Sequence, residues 1–283
     1  MIYARLLGGL GNQMFQYAAG RALADHLGTD LALDRRALGT GRFVRDDGLG
    51  HFANLRVTKP AHLPPAKSES PLRYALWRKF GRKPCFHREG GLGFDSSFFD
   101  LPDHTYLHGY WQSERYFGGD HTRLRHELTL TTPLGPENQK MAARIKATAM
   151  PVSLHVRRGD YAASGAYAAC GPAYYRDAVG AIAKQSGAPL TVFVFSNDPN
   201  WARTHLDLGV ETVVVDINGE GDGHFDLHLQ SLCAHHVIAN STFSWWGAWL
   251  NPSPDKIVVA PKDWFAPGQP QNPDICPDRW LRL

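Results

Sequence analysis

Short apolar runs alternate with stretches of helical periodicity along this chain. Residues 2–7 (IYARLL) are apolar enough for a buried strand, and a glycine turn follows. From Asn12 to Leu27 the positions Phe15, Ala18, Ala19, Ala22 and Leu27 recur at helical spacing, so the chain opens as strand, turn and helix. A second strand is expected at 30–33. From Ala37 to about Pro102 the sequence is rich in Gly, Pro, Arg and His, its periodicity is weak, and no element is assigned. A strand is expected at Thr105–Trp111. The run Thr132-Pro133-Leu134-Gly135-Pro136 then reads as a linker before a helix at 137–148.

Beyond the linker the alternation becomes regular. Strand-like runs fall at 152–156 (VSLHV), 190–195 (LTVFVF), 211–217 (ETVVVDI), 235–239 (HHVIA) and 256–260 (KIVVA). Helical stretches lie near 173–185, 225–234 and 243–250. Short β-branched runs separated by helices predict parallel strands in βαβ units, hence an α/β chain whose C-terminal half is an open Rossmann-type sheet. Such sheets take ligands beyond the carboxyl ends of their strands, which directs attention to the residues after 156, 195, 217 and 239.

Composition narrows the class. The 283 residues are 43% hydrophobic, 20% charged and 11% aromatic, which excludes a disordered chain, collagen and coiled coil. A net charge of +3 is too mild for a dedicated nucleic-acid binder. Cys85, Cys170, Cys233 and Cys276 are far apart and form no C-x-x-C pair, so reduced thiols are expected. The first 20 residues do not resemble a signal peptide, and no apolar run reaches 18 residues, so a cytoplasmic protein is expected.

The unusual residues sit at the strand ends. Arg157, Arg158 and Asp160 follow VSLHV; paired guanidinium forks suit the oxygens of a diphosphate, whereas a surface ion pair with Asp160 is the plainer alternative. His155 shares a face with Arg157, though a lone histidine there also suits a core. Asn240, Ser241 and Thr242 precede a helix, where hydroxyls either cap its N–H groups or leave them to a phosphate. Trp245, Trp246 and Trp249 have the spacing of core packing more than of sugar stacking. The turn Gly8-Gly9-Leu10-Gly11-Asn12-Gln13 lacks the glycine that a dinucleotide fingerprint needs at Met14, leaving either a structural turn or a backbone that approaches a ligand, with Asn12 and Gln13 as polar tips. Asp226 is a lone carboxylate near a helix start, where pairing with the helix dipole is the bland reading. Metalloprotease, nucleophile-elbow and D-x-D patterns do not occur in the sequence.

The blocks GGLGNQMFQYA (8–18), HVRRGDY (155–161), VFSND (194–198), NSTFSWWGAWL (240–250) and APKDWF (260–265) together resemble glycosyltransferase family 11, the α-1,2-fucosyltransferases. The resemblance implies a GT-B architecture, two Rossmann-like domains facing across a cleft. It divides the chain into an acceptor-side unit at 1–135 and a GDP-fucose-binding unit at 136–283. It further implies inverting transfer of fucose from GDP-fucose to O2 of a terminal β-galactose on a glycan, with no metal or other cofactor. It places Arg157 on the diphosphate with Arg158 beside it and His155 next to the nucleotide. More distant relatives put Asp226 on the guanine edge, with Asp198 the next candidate, Ser241 and Thr242 near the phosphates, and Gly11 and Asn12 near the fucose. The general base is a gap: residues 162–166 hold no carboxylate, and Asp160 is the nearest one. Transfer to another linkage (α-1,6 or protein O-fucosyl) and non-catalytic sugar-nucleotide binding are the alternatives. The segment Arg73 to Arg88 carries six Lys/Arg, no acid and several apolar residues, which suits a solvated face or weak contact with an anionic inner membrane.

Overall fold

The computed structural model describes residues 1–38, 46–60, 63, 65, 70–81, 83–158 and 170–283. Its N-terminal part runs β1 (Ile2–Arg5), α1 (Leu10–His26), β2 (Leu31–Asp34), α2 (Pro71–Phe80), β3 (Cys85–Arg88), β4 (Thr105–His108) and α3 (His121–Glu127), with single 3₁₀ turns at Gly48–His51, Ser96–Asp100 and Glu114–Tyr116. The four strands form a parallel sheet in the order β2-β1-β4-β3. Helix α1 packs closely on it because Gly20 has no side chain: a Cβ there would lie 2.9 Å from Leu31 and 3.0 Å from Ala4.

The C-terminal part runs α4 (Pro136–Ala147), β5 (Pro151–Val156), α5 (Pro172–Ser186), β6 (Thr191–Ser196), α6 (Pro199–His205), β7 (Glu211–Val215), α7 (Gly223–Ser231), β8 (His235–Val237), α8 (Thr242–Leu250), β9 (Val258–Ala260) and β10 (Leu281–Arg282). All six strands are parallel, ordered β10-β9-β8-β5-β6-β7. Strand β5 is buried throughout, as a strand covered on both faces must be. The buried imidazole of His236 is accommodated by two partners, Ser153 Oγ at 2.8 Å and Asn251 Nδ2 at 2.9 Å. With Asn251 donating to Nε2, His236 carries its proton on Nδ1 and is neutral, its pKa driven well down by burial. Separation before α4 leaves both sheets whole.

The expected α/β fold with parallel sheets is present. Strand ends differ from the sequence reading by a few residues. Residues 109–111 leave β4 because Trp111 adopts φ 56°, outside any strand conformation. The four cysteines are free. No helix among the described residues is long and apolar enough to cross a membrane.

One apolar core joins the two parts. Trp245, Trp246 and Trp249 are fully buried in a cluster with Phe15 and Phe117. Phe15 lies 4.5 Å from Trp245 and 5.1 Å from Trp246, and Phe117 stacks on Trp246 at 5.4 Å. The tryptophans are therefore core, and their burial welds α8 of one part to α1 of the other. The segment after β9 also crosses over: Arg115 pairs with Asp274 at 2.9 Å and Arg279 pairs with Glu114, while Trp245 Nε1 donates to Ile275 O at 2.6 Å and holds that segment on α8.

Candidate active site

Ligand crevices in open parallel sheets lie where adjacent strands send their connections opposite ways. These points fall between β5 and β8 in the larger sheet and between β1 and β4 in the smaller one. The chain leaving β5 carries Arg157 and Arg158; that leaving β8 carries Asn240, Ser241 and Thr242; that leaving β1 carries Gly8 to Gln13. The two points meet at Gly11. A Cβ on this residue would lie 2.5 Å from Thr242 C and 2.6 Å from Phe243 N, so only glycine lets α1 touch the start of α8.

Helix α8 starts at Ser241, whose backbone is extended and whose hydroxyl makes no capping bond. Of the two roles the sequence left open, side-chain capping is thus not the one adopted, and the first-turn N–H groups are left for a ligand or water. Ser241 is buried and Thr242 half-buried. Phe243 lies 5.5 Å from the His155 ring and 3.4 Å from where a Cβ on Gly223 would be, so the starts of α7 and α8 and the end of β5 converge.

His155 is buried, and burial first, then the adjacent Arg157 charge, pushes its pKa down to about 3. It is a neutral ring, with Nδ1 buried and lacking a hydrogen bond among the described residues. Arg157 lies half-buried beside it. Arg158 faces the other way: its guanidinium sits 4.2 Å from the Trp201 ring centroid and 3.8 Å from Asp198. Its backbone is clamped by the Asn197 amide, which accepts from Arg158 N at 2.9 Å and donates to Arg158 O at 3.0 Å. Of the tandem pair, Arg158 is turned towards α6, and Arg157 is the member whose charge acts on His155.

Asp198 caps α6, accepting from Trp201 N at 3.0 Å, and its other oxygen faces Arg158. Asp226 lies in the first turn of α7 and accepts from Asn218 Nδ2 at 2.6 Å. Burial pushes its pKa up to about 6, against the Asn218 hydrogen bond and with help from Asp222 and Asp216. A helix-dipole role would lower that pKa, so the dipole is not what decides its chemistry.

Two sequence expectations read differently in the structure. Gln13 is no polar tip: it is fully buried and its amide bonds Gly8 O, Asp46 O and Gly48 N at 2.9–3.0 Å, so it holds the turn rather than reaching a ligand. Asn240 is buried, donates to Trp264 O at 2.8 Å and ties the loop after β8 to the loop after β9. Asp160 lies outside the described residues. Asn12 is half-buried, and its Oδ1 accepts from Gln112 Nε2 at 2.9 Å across the smaller switch point. Gly8, at φ 75°, would drive a side chain to within 2.6 Å of that same asparagine.

Sequence reasoning missed two residues here. Gln16 links the loops after β1 and β4, accepting from Leu7 N at 2.8 Å and donating to Gly109 O at 3.1 Å. Glu89 accepts from Tyr110 N at 2.7 Å and Trp111 N at 2.9 Å, holding the left-handed backbone of Trp111; its pKa is raised by burial. A further bridge between the two parts is the stack of His51 on His224, centroids 3.5 Å apart.

Two parallel α/β units whose switch points oppose each other make up a GT-B architecture. Solved structures agree on the fold: NodZ α-1,6-fucosyltransferase soaked with GDP-fucose (TM-score 0.50, 14% identity, 89% of this chain and 92% of that one) and Arabidopsis thaliana FUT1 with GDP (TM-score 0.51, 13% identity, 91% and 69%). The chain belongs to Glycosyl transferase family 11, whose profile matches residues 2–281. It is 31% identical over 299 residues to an alpha-1,2-colitosyltransferase of Escherichia coli, covering 100% of this chain and 99% of that protein. It is 30% identical over 258 residues to galactoside alpha-(1,2)-fucosyltransferase 1 of Saimiri boliviensis boliviensis, covering 86% of this chain and 63% of that protein.

Proposed function

We propose that this glycosyltransferase moves L-fucose from GDP-fucose to O2 of a terminal β-galactose on a glycan acceptor, with inversion and without a metal ion. The observation that carries the reading is the start of α8: its N–H groups have no side-chain cap, the neutral His155 lies beside it with Arg157 acting on that ring, and the glycine turn of α1 touches it from the other part. That arrangement suits a diphosphate, because guanidinium and helix N-terminus both favour anionic oxygens. Asp226, one turn into the adjoining α7, offers the carboxylate that guanine's N1–H and N2–H₂ require. The turn from Gly8 to Asn12 then faces the sugar from the acceptor side.

In the reaction, the galactose O2 attacks the fucose anomeric carbon from the face opposite GDP. The bond to the phosphate oxygen breaks, GDP leaves with the electron pair, and the β-linked donor becomes an α-linked product. Arg157 and the α8 N–H groups stabilise the charge that develops on the diphosphate, an effect of about 3–4 kcal/mol for one preorganised donor. Asp160 is the motif carboxylate that would accept the O2 proton. A loose, oxocarbenium-like transition state lowers the demand on that base, so alignment of the acceptor matters more. The 31% identity to a colitosyltransferase favours one second reading, transfer of colitose by the same site.

The test is GDP release from GDP-fucose with a panel of β-galactosides, in a chelator and with added divalent cation. Release that needs the acceptor and persists in chelator supports the proposal. No release, or release only with the metal, sinks the corresponding part of it.

A further inference from the structure

Helix α2 buries none of its ten residues, an unusual state for a helix too short to be stable in water on its own. Only Tyr74 and Trp77 of its residues are half-covered, and their rings lie 5.9 Å apart. Gly81 lets Trp77 fold under the end of the helix, for a Cβ there would fall 2.3 Å from its ring. The opposite side carries Leu72, Leu76 and Phe80 at four-residue spacing, 72%, 52% and 74% exposed. Arg73 and Lys79 border that stripe on its two sides, both exposed. Six residues beyond Phe80, Phe86 of the edge strand β3 is 58% exposed.

The charges around this apolar surface have one sign. Arg73, Arg78, Lys79, Lys83 and Arg88 are all exposed, and no Asp or Glu lies between residues 70 and 88. A protein partner would need a matching acidic groove, whereas an apolar stripe flanked by cations is what an anionic bilayer surface takes directly: the stripe enters the headgroup boundary and the long basic side chains reach the lipid phosphates. We propose that α2 and β3 form an interfacial docking face, with Leu72, Leu76, Phe80 and Phe86 seated in an anionic membrane surface. The face belongs to the same part of the molecule as the Gly8–Asn12 turn, which would bring the acceptor side of the cleft near the bilayer. Such a placement favours acceptor glycans anchored in that bilayer over the same glycans free in solution.

The test is co-sedimentation of the full chain with phosphatidylcholine vesicles, with and without phosphatidylglycerol. Each cation at an anionic surface adds roughly a fivefold factor, so at least a tenfold preference for the anionic vesicles is expected, falling steeply with salt. Leu76→Asp/Phe80→Asp should abolish vesicle binding while leaving its melting temperature unchanged, since neither side chain is buried. A separate charge-reversal variant, Arg78→Glu/Lys83→Glu, should weaken binding at least tenfold without touching the apolar stripe. Indifference to lipid charge, full binding by both variants, or a wild-type dimer that Leu76→Asp dissociates would overturn the proposal, the last by showing that a second copy covers the face.

Discussion

Replacing Gly11 by alanine inserts one methyl group where α1 touches α8. The added carbon would sit 2.5 Å from Thr242 C and 2.6 Å from Phe243 N and Thr242 O, all backbone atoms that cannot rotate away. Reaching ordinary contact requires the helices to separate by about 0.9 Å, a gap at which packed atoms already forfeit a quarter to a half of their attraction. The loosened pairs include Phe15 with Trp245 and Trp246. Overpacking of this kind costs about 1–3 kcal/mol, or about 2–5 °C in melting temperature for a chain of this size. Helix propensity acts in the opposite direction and favours alanine by up to about 1 kcal/mol, so the sign of the shift tells whether the contact exists. Because the same contact sets the two switch points against each other, turnover should fall by up to about a hundredfold, the usual penalty for ångström-scale misalignment. Thermal melting and steady-state kinetics on one preparation read both effects. A Gly11→Ala protein that melts higher than wild type and turns over normally would refute the reasoning.

Three further outcomes follow from the site. Arg157→Ala should lower kcat by roughly a hundredfold or more at unchanged melting temperature, because it acts on charge that appears in the transition state; undiminished turnover in calibrated kinetics would remove it from the diphosphate. Ser241→Ala should weaken GDP binding by calorimetry yet destabilise the fold by less than the ~1 kcal/mol usual for a cap, since the hydroxyl makes no capping bond; a full capping loss in the melt would contradict this. Asp226 holds its proton more tightly in the folded state, about 6 against 3.8, so its stabilising contribution is complete below pH 3.8 and is lost as pH rises through about 6. Asp226→Asn should therefore raise stability at pH 7 by about 1–3 kcal/mol while weakening GDP, and wild-type GDP affinity should drop below pH 6 as the carboxylate protonates; a variant no more stable, with unchanged GDP affinity at both pH values, would move the guanine site elsewhere.

What the sequence revealed depended on what each segment buries. Strands β5, β6, β8 and β9 were legible because both faces are covered, which forces continuous apolar, β-branched runs, and the edge strand β7, though partly exposed, keeps its β-branched residues. Between 37 and 102 there was little to read: α2 turns nothing into the core, and β3 is a mostly exposed edge strand. Helices α3 and α6 are seven residues each, two turns being too short for a period to register. At the site, polarity in a loop looked the same whether a residue faces a ligand or serves the backbone, and only burial separates Gln13 and Asn240 from Asn12. Gly11 was readable as a point of close approach, but its neighbour, the α8 backbone, comes from a segment more than 200 residues away. Glu89 was invisible for the same reason, since it stands in a region without periodicity and acts on a turn 21 and 22 residues downstream.

The central claim, fucose transfer to galactose O2 across this cleft, is tested most directly by NMR of the product formed from GDP-fucose and a β-galactoside. The account predicts a single new α-L-fucose residue attached through O2 of the galactose, and no product when that hydroxyl is missing from the acceptor. A β-anomer would contradict the in-line inverting displacement. Attachment through O3 or O6, or no transfer by folded protein, would contradict the assignment of the reaction itself.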